Sequence, residues 1–129
     1  MAAEIRIIGM KQLGKLQQEF TARFPYLGIK FYTKEEMDKA AKGEAIQQLD
    51  PKLTIGKVRT VKNNTELKIV GQLGVGTLEA RMLAFYGLYA QVVYKKGDKR
   101  HYTSGAEDKC TLQELNDKFA AEGHDKYAY

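Results

Sequence analysis

Residues 4–32 read EIRIIGMKQLGKLQQEFTARFPYLGIKFY and residues 66–94 read ELKIVGQLGVGTLEARMLAFYGLYAQVVY, and the two stretches align without a gap. Seven of the 29 aligned positions are identical, whereas ordinary residue frequencies give about two by chance. The identical pairs are Glu4/Glu66, Ile7/Ile69, Gly9/Gly71, Gly14/Gly76, Leu16/Leu78, Ala22/Ala84 and Tyr32/Tyr94. This similarity predicts an internal duplication. The alternative is that two strand–helix–strand segments share a hydrophobic pattern because their geometry requires it.

Each copy carries the pattern of a strand, a helix and a second strand. IRIIG and LKIVG are rich in β-branched residues and end at a glycine, which is typical of short strands. Apolar residues then recur at steps of three and four, which predicts one buried helix face in each copy. These residues are Leu13, Leu16, Phe20 and Phe24 in the first copy and Val75, Leu78, Met82 and Tyr86 in the second. GIKFY and AQVVYKK follow as the second strands.

The ends of these two helices carry recognisable signals. Gly14 and Gly76 are interpreted as N-caps, with Gln17 and Glu79 three residues later, where a side chain can reach back to the N–H of the cap residue. Pro25 and Gly87 are predicted to end the helices, because proline lacks an N–H and glycine accepts a left-handed backbone.

The segments that follow the second strands differ between the copies. In the second copy, VVYKK and KRHYT flank Gly97-Asp98, which predicts a β-hairpin with a type II′ turn. In the first copy, a capping box at Thr33 and Glu36 and a C-cap at Gly43 predict a short helix instead. A short helix is also predicted over 55–60, by analogy between residues 50–58 and 108–115, although Gly56 and the β-branched residues there favour a strand.

A C-terminal helix completes the predicted fold. Thr111 and Glu114 form a capping box, and Leu112, Leu115 and Phe119 lie on one helix face. The sequence therefore predicts an α+β protein with two pseudo-repeated β-α-β units, mainly antiparallel sheet pairing, one β-hairpin and a C-terminal helix. We expect one compact domain over 1–129, made of units at about 1–63 and 64–129. Whether the two units share one sheet is left open.

Segments between residues 53 and 119 resemble a family of small uncharacterised bacterial α+β proteins. The resemblance rests on IGKVRTVKNN, GTLEARMLAFYGLYAQVVYKKG and CTLQELNDKF, and FPYLGIKFY resembles the first copy of that family. It implies the same duplicated fold and no known activity. That family tends to carry tryptophans near the positions of Arg100 and Cys110, whereas this chain has no tryptophan. If those tryptophans form a shared binding surface, the resemblance implies that this chain lacks it.

Composition and charge limit the classes of function. The chain has 129 residues, 43% of them hydrophobic and 29% charged, as in soluble globular proteins. The N-terminus lacks the features of a secretory signal, and the lone Cys110 agrees with a reducing compartment, so we expect a cytoplasmic protein and no membrane partner. The net charge of +5 comes entirely from residues 1–63, which hold 12 Lys or Arg against 7 Asp or Glu, while residues 64–129 hold 9 of each.

The predicted hairpin carries the sharpest local signal. Positive charge and aromatic rings surround its turn, as in proteins that bind single-stranded nucleic acid. The residues are Tyr94, Lys95, Lys96, Lys99, Arg100, His101 and Tyr102, and a second basic run at Lys57, Arg59 and Lys62 could extend the surface. The alternative is that lysine and arginine keep an exposed hairpin from pairing with another chain.

No catalytic, cofactor or metal signature is found in the sequence. His101 and His124 are far apart in the chain and lack cysteines or paired carboxylates at ligand spacing. Gly71, Gly74 and Gly76 match neither the dinucleotide-binding nor the P-loop pattern. We therefore expect no enzyme and no cofactor. The favoured function is a protein-binding or assembly module, and the alternative is binding of single-stranded RNA or DNA through the hairpin.

Overall fold

The computed structural model describes residues 5–61, 67–96, 99–103 and 105–128, and within them the chain is an α+β protein, as predicted. Two further predictions, the Gly97-Asp98 turn and a role for Lys62, concern residues outside these ranges. The elements in chain order are β1 (Ile5–Ile7), α1 (Leu13–Arg23), β2 (Gly28–Tyr32), α2 (Lys34–Ala41), α3 (Ile55–Val58), β3 (Leu67–Ile69), α4 (Val75–Tyr86), β4 (Tyr89–Lys96), β5 (Lys99–Tyr102), α5 (Gly105–Asp108) and α6 (Leu112–Ala121).

Both sheets combine strands from the two units. β1 pairs antiparallel with β3, and β2 pairs antiparallel with β4, which in turn pairs with β5. In the smaller sheet Arg6 lies opposite Lys68, its aligned counterpart in the other copy. The two units are therefore interleaved through strand pairing and do not form two lobes.

The helix faces predicted from the apolar spacing form the core. All eight predicted positions of α1 and α4 are at most 2% exposed. They pack with the inner residues of both sheets and with Leu112, Leu115 and Phe119 of α6 in one hydrophobic cluster. The predicted core faces of all three helices are confirmed.

The start of α1 and the start of α4 make the same backbone contacts. Leu13 N–H donates to the carbonyl of Leu53, and Val75 N–H donates to the carbonyl of Cys110, both at 2.9 Å. Matching bonds run from Ile55 to Lys11 and from Leu112 to Leu73, again both at 2.9 Å. α3 and α6 are thus held in the same way against the loops that precede α1 and α4. The origin of both units in one ancestral unit stays a prediction.

The predicted N-caps are wrong by one half-turn. The N-caps are Gln12 and Gly74, while Gly14 and Gly76 lie inside the first turn. Glycine suits these positions because other backbone comes close: an added Cβ would lie 3.1 Å from the carbonyl oxygen of Pro51 in the first unit and 3.2 Å from that of Asp108 in the second, both tighter than an ordinary contact. The prediction of N-caps at these glycines is therefore wrong, and close packing against neighbouring backbone explains the two glycines instead.

The other predicted helix ends agree better with the structure. Gly87 has a φ of +67° and ends α4, while α1 ends at Arg23, with Phe24 as its C-cap, just before Pro25. Thr33 caps α2 by accepting from Glu36 N–H, although the C-cap is Lys42, one residue before Gly43. α6 has the complete predicted capping box.

The segment predicted as a helix over 55–60 is helical only from Ile55 to Val58. Arg59 is already extended, at φ −62° and ψ 140°. Thr54 caps this short helix by accepting from Lys57 N–H. The short α5, from Gly105 to Asp108, was not predicted.

Candidate partner-binding site

The β4–β5 hairpin forms as predicted, and its register brings like charges together. Lys95 lies opposite Arg100, and Lys96 lies opposite Lys99. Directly opposite residues in an antiparallel pair have Cβ atoms about 5 Å apart, so like charges there repel. The end of the hairpin therefore concentrates four cationic residues in two facing pairs.

The base of the hairpin is fixed by stacked rings. Tyr94 and His101 are also opposite one another, and their ring centroids are 5.3 Å apart and nearly parallel. On the α6 side, Tyr94 contacts Phe119 with a centroid distance of 4.4 Å. Because Phe119 is buried, this contact joins the hairpin to the core.

His124 completes the same ring cluster. Its ring stacks on Phe119 at 4.5 Å and on Tyr94 at 5.7 Å. The His124 side chain is only 8% exposed, its Nε2 lies 3.2 Å from Glu122 Oε1, and its Nδ1 is buried without a hydrogen-bond partner. His101 and His124 are far apart in the sequence, whereas the structure stacks both of their rings on Tyr94.

The Tyr94 hydroxyl lies near two acidic side chains. Burial, followed by the negative charges of Glu107 and Glu122, raises the pKa of Tyr94 above its ordinary value. These two acids flank the base of a hairpin whose far end is basic. The hairpin thus has acidic residues near its base and basic residues at its far end.

Tyr102 lies on the other face of the sheet. Its hydroxyl shares a 2.9 Å hydrogen bond with the hydroxyl of Tyr32, and the two rings meet edge to face. Burial and this hydrogen bond raise the pKa of Tyr32. Tyr102 remains 47% exposed and borders a cavity of about 140 Å³ under α2. Of the aromatic residues predicted in the hairpin, Tyr102 is thus the most open to solvent.

The second basic run does not extend the hairpin surface. Lys57 lies in α3 and Arg59 directly follows it, and the next residue, Thr60, donates its N–H to the carbonyl of Tyr86, just before β4 begins. The cationic end of the hairpin lies at the opposite end of β4, about 23 Å away at the usual rise per strand residue. The structure therefore separates Lys57 and Arg59 from the hairpin.

Glu79 is a residue of chemical interest that sequence reasoning assigned to a cap. Its Oε2 accepts a 3.0 Å hydrogen bond from Val92 N–H, at the point where the β4–β5 ladder ends. Burial raises its pKa to about 7, this hydrogen bond partly opposes the rise, and the charge of Asp108 adds to it. Asp108 Oδ1 and Thr103 Oγ1 are buried without hydrogen-bond partners. The first unit has Gln17 at this place, and its amide donates to the carbonyl of Ile29 at 2.9 Å.

The described part of the chain holds no group of three or more His, Cys, Asp or Glu side chains that could bind a metal ion. Cys110, the single cysteine of the chain, is half-buried. Among the described helices, none is long and apolar enough to cross a bilayer. The chain matches no protein-family model, no curated protein and no solved structure.

Proposed function

We propose that the protein is a non-enzymatic binding module that holds a protein partner with an acidic contact surface through the end of its β4–β5 hairpin. The observation that carries this proposal is the register, which sets Lys95 opposite Arg100 and Lys96 opposite Lys99. Facing like charges weaken a hairpin in isolation. Carboxylates of a partner lying between them would remove that repulsion and gain charge-assisted hydrogen bonds.

The ring cluster supports this role because it gives the hairpin a rigid base. Tyr94 is packed against Phe119 and stacked with His101, so the cationic end is carried by a buried anchor. A preformed surface of this kind loses little conformational entropy on binding. The alternative is that the cations only prevent edge-to-edge association through β5.

The arrangement of the aromatic rings favours a protein over a single-stranded nucleic acid. Base stacking needs an open ring face. Both the His101 ring and the Phe119 ring lie against Tyr94, and Tyr102 is tied to Tyr32 by its hydroxyl. Of the hairpin residues predicted to contact a partner, those not engaged in these ring contacts are the four cationic residues of its end.

Duplication of one β-α-β unit is part of the same proposal. The matched backbone bonds at Leu13 and Val75, and at Ile55 and Leu112, support it, as does the pairing of Arg6 with its counterpart Lys68. A duplicated scaffold leaves the segment after each second strand free to diverge, which is where the hairpin is found. The lone cysteine is compatible with action in the cytoplasm.

Capture from a native cell extract tests the proposal. The tagged protein should retain a partner that the charge-reversed variant K95E/K96E/K99E/R100E loses. The matched control K34E/K42E/K52E/K126E reverses four exposed lysines outside the hairpin and should keep the partner. Equal capture by the hairpin variant would contradict the proposal and would restrict those residues to protecting the sheet edge.

Nucleic-acid binding is the second candidate, favoured by the 47% exposure of Tyr102 beside the basic hairpin. Retention on single-stranded RNA or DNA should then fall steeply with salt, since each lost phosphate contact releases counterions. A partner that disappears from the capture after nuclease treatment would replace the first candidate with this one. No retention at low salt would eliminate it.

A further inference from the structure

A second concave site lies between the end of α1 and the loop that follows β3, away from the hairpin. It is a cavity of about 460 Å³ lined by Arg23, Val70, Gly71, Gln72 and Gln113. Apart from Arg23, the lining residues carry no charge. The site joins the two units, because Arg23 belongs to the first and the other lining residues belong to the second.

Arg23 is held in place without a carboxylate. Its Nη1 donates to Gln113 Oε1 at 2.8 Å, and its guanidinium carbon lies 4.7 Å from the centre of the buried Phe24 ring. Its Nε is buried and has no hydrogen-bond partner in the part of the chain that the structure describes. Within the described residues, no acidic side chain forms an ion pair with Arg23.

The charge of Arg23 is only partly balanced by its surroundings. Its position in the last turn of α1 is favourable, because the helix C-terminus carries about half a negative charge. The nearest acid in its hydrogen-bond network is Asp117, whose Oδ1 accepts from the Gln113 amide at 2.9 Å. The Gln113 side chain therefore stands between the Asp117 carboxylate and the Arg23 guanidinium. Gln113 accepts from Nη1 alone, and Arg23 lines the cavity with the other donors of its guanidinium unused by Gln113.

Gly71 makes room for the guanidinium. A Cβ at this position would lie 2.9 Å from Arg23 Nη2 and 3.3 Å from Gln113 Cβ. The absence of a side chain therefore lets the fork lie against the loop backbone. A planar fork with several donors suits the oxygens of a carboxylate or a phosphate.

We propose that the Arg23 cavity binds a small oxyanion, a carboxylate or a phosphate group, through the guanidinium of Arg23. The corresponding place in the other half of the molecule provides a natural contrast. There the aligned residues are Phe85 for Arg23, Met10 for Gln72 and Gly56 for Gln113. With no cation at the aligned position, that end offers no equivalent site.

Amide and side-chain NMR of the full-length protein tests the proposal. Inorganic phosphate and acetate are titrated separately, with ionic strength held constant by sodium chloride. We expect saturable shifts of the Gly71 and Gln72 amides and of the Arg23 Nε–H signal. The anion that saturates these shifts at the lower concentration is the preferred oxyanion.

Variants decide whether Arg23 is responsible. R23Q should abolish the saturable shifts, R23K should weaken binding about tenfold because a point charge replaces the fork, and D117N should tighten it by removing a nearby negative charge. The control R81Q, at an exposed arginine of α4, should bind as the wild type does. If R23Q fails to fold, R23K and D117N carry the test. Unsaturable shifts spread over the surface, or equal binding by R23K and the wild type, would overturn the proposal.

Discussion

The two units share their backbone contacts but differ at the polar position in the middle of each long helix. In the first unit, the Gln17 amide donates to the carbonyl of Ile29. In the second, the Glu79 carboxylate accepts from Val92 N–H and has a pKa raised to about 7. The same backbone arrangement thus accommodates a neutral amide donor in the first unit and an ionisable carboxylate acceptor in the second.

The pseudo-equivalent ends of the molecule differ in the same way. One end holds Arg23 beside two glutamine side chains, and the other has Phe85 and the 88% exposed Met10 at the aligned positions. The segments after β2 and β4 differ too, since one forms α2 and the other a cationic hairpin. Many residues common to both units hold the scaffold, whereas the residues that differ include Arg23 with its partly balanced charge, the exposed Met10, and Glu79 with its raised pKa.

The largest expected effect tests whether the two units are one folding unit. Leu16→Ala and Leu78→Ala remove aligned leucines that are both fully buried. Each should cost about 3 kcal/mol of unfolding free energy, as typical core truncations to alanine do. Urea unfolding followed by circular dichroism should show a single transition in both variants, because each sheet contains strands from both units. Two separate transitions in either variant would show that the halves fold independently.

Gln17→Glu gives the first unit the residue of the second and should destabilise the protein. A carboxylate would face the carbonyl oxygen of Ile29 in place of an amide donor. We expect a loss of about 2 kcal/mol at pH 8, in the range for breaking a buried hydrogen bond. Repulsion from the carbonyl raises the carboxyl pKa in the folded state, so the loss should shrink toward pH 4, where the protonated acid can donate. A loss that does not change with pH would argue against this contact.

Glu79→Gln makes the reverse exchange and should stabilise the protein at high pH. The folded pKa of about 7 lies above the ordinary value of 4.5, so the folded state binds the extra proton between these values. The Glu79 contribution to stability is therefore fully present below pH 4.5 and is lost as the pH rises through 7. After allowance for partial exposure, the variant should gain about 1 kcal/mol at pH 8. The measurement is the difference in unfolding free energy between wild type and variant at pH 4.5 and pH 8.

If the unfolding free energy of the wild type is the same at both pH values and Glu79→Gln gains nothing at pH 8, Glu79 does not make stability depend on pH. Glutamine keeps an acceptor for Val92 N–H. The comparison therefore separates charge from hydrogen bonding.

The smallest expected effect concerns the helix caps. Thr54→Ala and Thr111→Ala each remove a hydroxyl oxygen that accepts from a backbone N–H, at 3.2 and 3.1 Å, and should each cost about 1 kcal/mol. Thr33→Ala should cost less in global stability, since α2 buries no residue. Urea midpoints for the three variants check this order. A larger loss at Thr33 than at Thr111 would mean that α2 is part of the core.

Local patterns predicted the elements of this fold well because the causes are local. Apolar spacing predicted the buried faces of α1, α4 and α6, and the threonine capping signals predicted the N-caps of α2 and α6. Gly14 and Gly76 were misread because close approach by Pro51 and Asp108 is a tertiary effect with the same sequence signal as a cap.

The sites could be predicted only in part. The basic hairpin is contiguous in sequence and was found. The stacking of His124 on Tyr94, and the position of Arg23 between Gly71 and Gln113, depend on contacts between distant segments. No spacing rule brings those residues together, so these contacts could not be predicted from the sequence.

We propose that the β4–β5 hairpin, where the second unit differs from the first after its second strand, is the binding surface. The most direct measurement is an amide chemical-shift map of the labelled protein titrated with a hexaglutamate peptide at low salt. We expect the largest shifts on residues 94–96 and 99–103 and none in α2, the segment that follows the second strand of the first unit. Shifts at Gly71 and Gln72 would report the separate Arg23 site. Larger shifts in α2 than in the hairpin, or shifts spread evenly over the surface, would contradict the proposed binding surface.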